Sequence, residues 1–394
     1  MSIDFDREIS RSGTLSVKHD GRARMFGSAD VLPLWVADMD FAVPEAVTRA
    51  LAQRAAHPIY GYTLYPESMV EALIAWLKKR HGWQVPREWI LMAPGVVPSL
   101  FAAVRAFARR GEGVIVQPPV YYPFFPAVTT SGRRLVENPL RETNGAWTMD
   151  FAHLEECAAG GARVLLLCSP HNPIGRVWST DELKEVLRIA RRYDLTIVSD
   201  EIHADLVFPG RQHTALALLA EAGDKVITTV APSKTFNIPG LGLSSLIAAD
   251  STQREALRNS FEVLHSGNTN PFSIAAFEAA YRHGEAWLDS LLVYLRGNLD
   301  TVCDFLAARV PAIRAVRPEG TFLVWLDCRG LGQWTSDDAQ LRAFFVDRAR
   351  VGLSPGQMFG RGGSGFMRLN IASPRSVLVE ALERVARAVK ERRD

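Results

Sequence analysis

Residues 225–240 read KVITTVAPSKTFNIPG: a run rich in β-branched residues, then a proline, a serine and one lysine, Lys234, before a second proline and a glycine. Short runs that are apolar or β-branched throughout are what a parallel strand covered on both faces requires. A surface loop would account for Lys234 as readily as a functional role, so neighbouring segments must decide.

Two upstream segments share this construction, ARVLLLCSP (162–170) and LTIVSDE (195–201), with the amphipathic stretch DELKEVLRIARRY (181–193) between them. Such alternation from about residue 90 to 250 is the mark of parallel βαβ units. The spacing predicts an α/β sheet with strands over 162–170, 195–201 and 225–233. GVIVQPPVYYPFF (113–125) reads as a further strand. PSLFAAVRAFARRG (98–111) reads as a helix that follows the turn MAPGVV and closes on the glycine at its C′ position. Beyond residue 250 the pattern becomes long and helical, and then short strands such as TFLVWLDC and GFMRLNIA alternate with helices. A smaller C-terminal domain, reached through a long helix, is expected there.

With 394 residues, 47% of them hydrophobic, the chain has enough material for more than one domain and a sizeable core. Lys and Arg number 45 against 43 Asp and Glu, so no field of one sign attracts nucleic acid or an anionic membrane, and a small-molecule partner is expected. The start, MSIDFDREISRSG, is acidic where a signal peptide needs a basic region, and no apolar run reaches membrane-spanning length. A cytoplasmic protein is expected. Cys157, Cys168, Cys303 and Cys328 lie far apart without CxxC spacing, which argues for reduced thiols rather than a disulfide framework or a structural zinc site.

Each of the three buried runs ends in a polar group: Asn172 after LLLCSPH, Asp200 after TIVS and Lys234 after TTVAPS. Ligands of open α/β sheets bind beyond the carboxyl ends of the strands, and intervals of 28 and 34 residues are each about one crossover unit, so the three can converge. A lysine, a carboxylate and an amide beside a phosphate cradle are what pyridoxal 5′-phosphate needs: a Schiff base, an acid that keeps the pyridine nitrogen protonated, and a hydrogen bond to the phenolic oxygen. The turn APGVV, running into a helix N-terminus at Gly95, Val96 and Val97, suits the phosphate. Turn formation would explain Asn172 in HNPIG, and helix capping would explain Asp200, each taken alone. A metal site in DEIHAD, formed by Asp200, His203 and Asp205, lacks HExxH-like spacing and a second histidine, and no metal is expected.

Taken together, these segments make the chain similar, over nearly its whole length, to the fold-type I pyridoxal-phosphate enzymes of the class I/II aminotransferase family. Within that family it resembles the MalY/PatB group of carbon–sulfur β-lyases (cystathionine β-lyases) through LPLWVADMDF (32–41), YGYT (60–63), SPHNPIGRVW (169–178), SDEIHADLVF (199–208) and APSKTFNIPGL (231–241). WVADMDF with DEIH is the group-specific part, whereas NPxG and SK mark only the superfamily.

The resemblance implies a large cofactor-binding domain over residues 46–285 with a mostly parallel seven-stranded sheet, a smaller α/β domain over 286–394, and an N-terminal segment, 1–45, packing with the small domain. It implies that Lys234 forms the Schiff base with the cofactor, Asp200 pairs with the pyridine nitrogen, Asn172 meets the phenolic oxygen and Tyr121 stacks on the ring. The backbone of Val96 and Val97 would hold the phosphate, with Tyr62 reaching it from a second subunit, so a homodimer with sites at the subunit interface is expected. Arg368 of FMRLN matches the arginine that grips the substrate's α-carboxylate, and Trp35 and Asp38 are placed at the substrate mouth, although packing explains Trp35 equally well. Two departures stand out. His203 occupies a place where many aminotransferases have tyrosine, and Gly242 stands eight residues after Lys234 where an arginine commonly binds the phosphate, leaving more of that task to Ser233 and the helix N-terminus. In Lys18-His19-Asp20 the group usually has a tryptophan in the middle; no mechanism attaches to this difference.

The implied activity is β-elimination from L-cystathionine or a related L-cysteine S-conjugate, giving a thiol, pyruvate and ammonia. Lys234 would take the α proton as general base. Transamination, the alternative, shares every step up to the carbanion, and the residues named do not separate the two. A purely regulatory binding role is a further alternative, and no DNA-binding segment or basic stripe supports it.

Overall fold

The computed structural model describes residues 3–263, 270–335 and 337–391. Its centre is a seven-stranded sheet of β1 (Ile90–Ala93), β2 (Gly113–Val116), β3 (Arg134–Glu137), β4 (Ala162–Cys168), β5 (Thr196–Asp200), β6 (Lys225–Val230) and β7 (Ser244–Ala248). The order is β1-β7-β6-β5-β4-β2-β3; β7 runs antiparallel to both neighbours and all other pairs are parallel. The three runs singled out in the sequence are therefore adjacent, with Cys168 beside Asp200 and Asp200 beside Thr229.

Helices cover both faces, and the two-residue period of the strands assigns side chains to each. Helix α1 spans Glu67–His81, α2 Val96–Phe107 and α3 Thr180–Arg192. Leu165, Leu167 and Ile197 pack with Leu183, Val186 and Leu187 of α3. Val164, Leu166 and Val198, one residue out of phase, pack with Leu100, Ala103 and Val104 of α2. A capping box, Ser179 with Glu182, starts α3 directly after the NPIGRVW turn.

Five expected boundaries are corrected, several of them by prolines and turns. Strand β6 stops at Val230, because Pro232 at the first helical position opens a one-turn helix, α4 (Pro232–Thr235), on which Lys234 sits. Strands β4 and β5 likewise end at Cys168 and Asp200. Helix α2 ends at Phe107 rather than at Gly111, which instead closes a turn at φ 83° and donates its N–H to Gly132 O. The segment 113–125 is strand only to Val116, since Pro118 and Pro119 have no N–H for a ladder, and a helix follows at Phe124–Thr129.

The C-terminal part is built on α5 (Glu285–Arg309) and α6 (Arg375–Lys390) with β8 (Arg314–Val316), β9 (Leu323–Asp327), β10 (Ser354–Pro355) and β11 (Phe366–Asn370). These strands form an antiparallel sheet in the order β8-β9-β11-β10. Trp287, Leu288, Leu291, Leu295, Leu299, Val302 and Leu306 give α5 a buried stripe at helical spacing. Among the described residues, no helix is long and apolar enough to cross a membrane.

The segment 32–41 is strapped between the two parts. Leu32–Pro33 pairs in parallel with Val351–Gly352, and Asn370 Nδ2 donates to Val36 O and Asp38 O, both at 2.6 Å. From the other side Asn237, three residues after Lys234, accepts the Met39 N–H at 2.9 Å and donates to Met39 O and Phe41 O. The WVADMDF motif thus lies across the carboxyl edge of the central strands.

Candidate active site

Asp200 is the last residue of β5 and is 3% exposed; its Oδ1 accepts the N–H of Ile202 at 3.2 Å. Burial pushes its carboxyl up to about 7, against the pull of the Ile202 amide and the Lys234 charge. Lys234, on the turn after the adjacent strand, donates from Nζ to Ala37 O at 2.6 Å. Burial, and then the charge of Arg368, brings its ammonium down to about 8.

An amine that titrates at about 8 can act as a nucleophile near neutrality while ordinary lysines at about 10.4 stay protonated. In cofactor-free protein, capture of pyridoxal phosphate should therefore accelerate about tenfold per pH unit up to about pH 8 and then level off. Stopped-flow absorbance checks this, and acceleration that continues unbroken to pH 10 would contradict it.

Arg368, in the middle of β11, is buried and has no carboxylate pairing with it among the described residues. Nη1 donates to Asn172 Oδ1 at 3.0 Å, and Nη2 to Trp35 O at 2.9 Å and Ser354 Oγ at 3.3 Å. The guanidinium lies 4.9 Å from the centre of the Phe359 ring, while its buried Nε has no partner. Burial lowers its pKa to about 10, so it remains a cation. A buried cation held only by neutral acceptors is costly unless an anion joins it.

His203 is buried, and burial together with the charges of Lys234 and Arg368 lowers it to about 3, so the imidazole is neutral; its Nδ1 has no partner. Tyr121 packs on Tyr122 with ring centres 5.2 Å apart, and burial pushes its phenol up to about 12. Both side chains belong to the same electrostatic neighbourhood: Lys234 and Arg368 act on His203, and Asp200 and Arg368 on Tyr121.

Gly95 precedes α2 and no side chain caps this end. Pro98 at the third helical position has no N–H, and the Ser99 N–H is taken by Gly95 O, so the amides of Val96 and Val97 are the donors left at this terminus. Gly242 is pressed against the same turn: a Cβ there would lie 2.8 Å from Pro94 O. An arginine at 242 is therefore excluded by the backbone that shapes the anion site. Gly242→Ala is expected to push that turn aside and weaken pyridoxal-phosphate binding about tenfold, as overpacking does elsewhere. Absorbance titration of cofactor-free protein reads it; a change below about twofold would contradict the steric argument.

The remaining sequence candidates are spread more widely. Ser233 is half-buried beside Lys234. The indole N–H of Trp35 donates to Lys18 O at 3.0 Å and its ring packs edge-on against Phe26, so its carbonyl, rather than its ring, meets Arg368. Asp38 is held by Arg11 through two hydrogen bonds of 3.0 and 2.7 Å, with its charge felt at Lys234. Tyr62 is 98% exposed. In DEIHAD, Asp205 turns away from Asp200 and His203 to Trp76, His81 and Thr235. Sequence reasoning missed Ser354, Phe359 and Asn237. Asn237 alone carried a local signal, since asparagine tolerates the left-handed φ of 56° found there.

The donor set fits pyridoxal phosphate. An uncapped helix end offers two amides to a phosphate, the buried Asp200 carboxyl suits a pyridine nitrogen, the neutral His203 offers an unpartnered ring nitrogen, and the lysine is deprotonated near pH 8. The model for aminotransferases of class I and II matches residues 29–385. The chain belongs to the class I and II aminotransferase family. Within it, the chain is 41% identical to cystathionine β-lyase PatB of Bacillus subtilis, covering 98% of this chain and 100% of that one. It is 33% identical to protein MalY of Escherichia coli over 98% and 99% of the two chains. The crystal structure of cystalysin from Treponema denticola, which contains pyridoxal 5′-phosphate, superposes with a TM-score of 0.94 at 39% identity, covering 99% and 100%. The family fold is the fold-type I arrangement, with its mixed and mostly parallel seven-stranded sheet.

Proposed function

We propose that the protein is a pyridoxal-phosphate-dependent carbon–sulfur β-lyase that cleaves L-cystathionine or a related L-cysteine S-conjugate to a thiol, pyruvate and ammonia. The observation that carries this reading is the end-to-end match to a cystathionine β-lyase.

The bound cofactor supplies an electron sink in conjugation with the substrate's α carbon. Lys234 Nζ would accept the substrate's α proton; with its pKa lowered to about 8, a larger fraction of it is free base near neutrality than of an ordinary lysine. Asp200 Oδ, in its dry pocket, holds the proton of the pyridine nitrogen. Asn172 and the neutral His203 donate toward the phenolic oxygen, and Tyr121 packs on the ring. Arg368 orients the α-carboxylate with parallel donors. Val96 and Val97 amides, with Ser233, bind the phosphate. Trp35 and Asp38 border the mouth through the strap that holds them.

The exposed apolar arm of Ile59, Tyr60, Tyr62 and Leu64 supports a homodimer in which Tyr62 completes the second subunit's phosphate site. Four unpaired cysteines suit a reducing cytoplasm. L-Cystathionine supplied alone tests the function: homocysteine release proportional to enzyme supports it, and no thiol release overturns it.

A further inference from the structure

Directly behind the site lies a buried polar network that the chemistry above leaves unused. Asp205 accepts three hydrogen bonds: Trp76 Nε1 at 3.0 Å, His81 Nε2 at 2.9 Å and Thr235 Oγ1 at 2.9 Å. The first two donors stand on α1, and the third is the residue next to Lys234 on α4. Beside it, Glu201, the neighbour of Asp200, accepts Ser199 Oγ at 2.8 Å, His213 Nε2 at 2.8 Å and the Leu216 N–H at 3.0 Å. The rings of His81 and His213 meet edge to face at 5.7 Å.

We propose that Asp205, clamped by His81 and Trp76, is a positioning residue that fixes the direction of Lys234 through its hydrogen bond to Thr235. The helix that carries Lys234 has a single turn and no side-chain cap, so it has little rigidity of its own. Its backbone is tied by the Ile238 and Phe236 N–H groups, the ring of its C-cap residue Phe236 packs edge-on against Trp76 of α1 at 5.4 Å, and Thr235 adds the side-chain hydrogen bond to Asp205. Burial would push the Asp205 carboxyl up, but its bonds to His81, Thr235 and Trp76 hold it below the usual carboxylate range. The groups facing it are Trp76 and His81 from α1, Thr235 from α4 and Tyr281 from the helix Pro271–His283, with Glu201 and His213 lining the same small cavity. A lysine that must first bond the cofactor and then reach the α proton depends on such placement, because small misplacements of a reacting group are costly.

The inference rests on the reading of Lys234 as the cofactor lysine, and the test separates the two. In the holoenzyme, Thr235→Val removes the hydroxyl, whereas Thr235→Ser keeps it. Thr235→Val is expected to lower kcat for thiol release about tenfold with KM within about twofold, as loss of orientation alone does. It should also displace the pH midpoint of the bound cofactor's absorbance, read without substrate, and Thr235→Ser should restore both. His81→Gln, acting through Asp205, should move both readouts in the same direction and keeps the test alive if Thr235→Val yields no soluble holoenzyme. Valine and glutamine variants with wild-type midpoint and kcat, or a serine variant as impaired as valine, would overturn the positioning role alone. Wild-type holoenzyme whose borohydride-fixed cofactor maps to a peptide without Lys234 would overturn both readings.

Discussion

Lys234→Ala is expected to lower turnover of L-cystathionine by at least about 10⁴-fold, because one substitution removes both the covalent anchor and the general base. Nothing nearby can take over. Among the described residues, the cations that act on Lys234's surroundings reduce to Arg368, which keeps its proton, and His203 is lowered to about 3. Steady-state thiol release measures the loss. Activity within tenfold of wild type would refute the role, whereas mere loss of yellow colour would not establish it.

Asp200→Asn is the second large effect, with an expected loss of about 10³-fold in kcat, comparable to removal of a principal electrostatic contact in other enzymes. The amide fills the same space but cannot balance a protonated ring nitrogen. The same residue has a signature in cofactor-free protein. Its carboxyl holds a proton up to about pH 7 when folded, whereas an unfolded aspartate gives it up near 3.9. Between these values the folded state binds more protons, so this group's contribution to stability falls as pH rises from about 4 to about 7. The melting temperature of the wild type relative to Asp200→Asn should drop across that window. A difference that does not change with pH would contradict the raised pKa.

What could be read from the sequence was what the backbone writes locally. Runs of apolar and β-branched residues announced β4, β5 and β6, and the polar residues at or beyond their ends pointed to one candidate site, because a parallel sheet delivers its strand ends to one edge. Boundaries were less legible, since Pro232 and Pro118 end strands that composition alone would extend. Arg368 could be matched to its motif, yet its partners could not: Asn172 and Trp35 lie 196 and 333 residues away in sequence. Likewise Asp38, set at the mouth by its motif, is spent largely on Arg11, a contact that only the folded N-terminal segment creates. The absent arginine at 242 looked like a gap, and the contact with Pro94 O explains it as a steric requirement.

A β-lyase site breaks the bond between the β carbon and sulfur at every turnover. The direct measurement is the amount of pyruvate and free thiol formed per subunit from L-cystathionine with no keto acid present. A β-lyase continues for many turnovers, with pyruvate and homocysteine rising together in equal amounts. Conversion that stops after one equivalent per subunit, with the cofactor left in its amine form and no thiol released, would identify a transaminase instead.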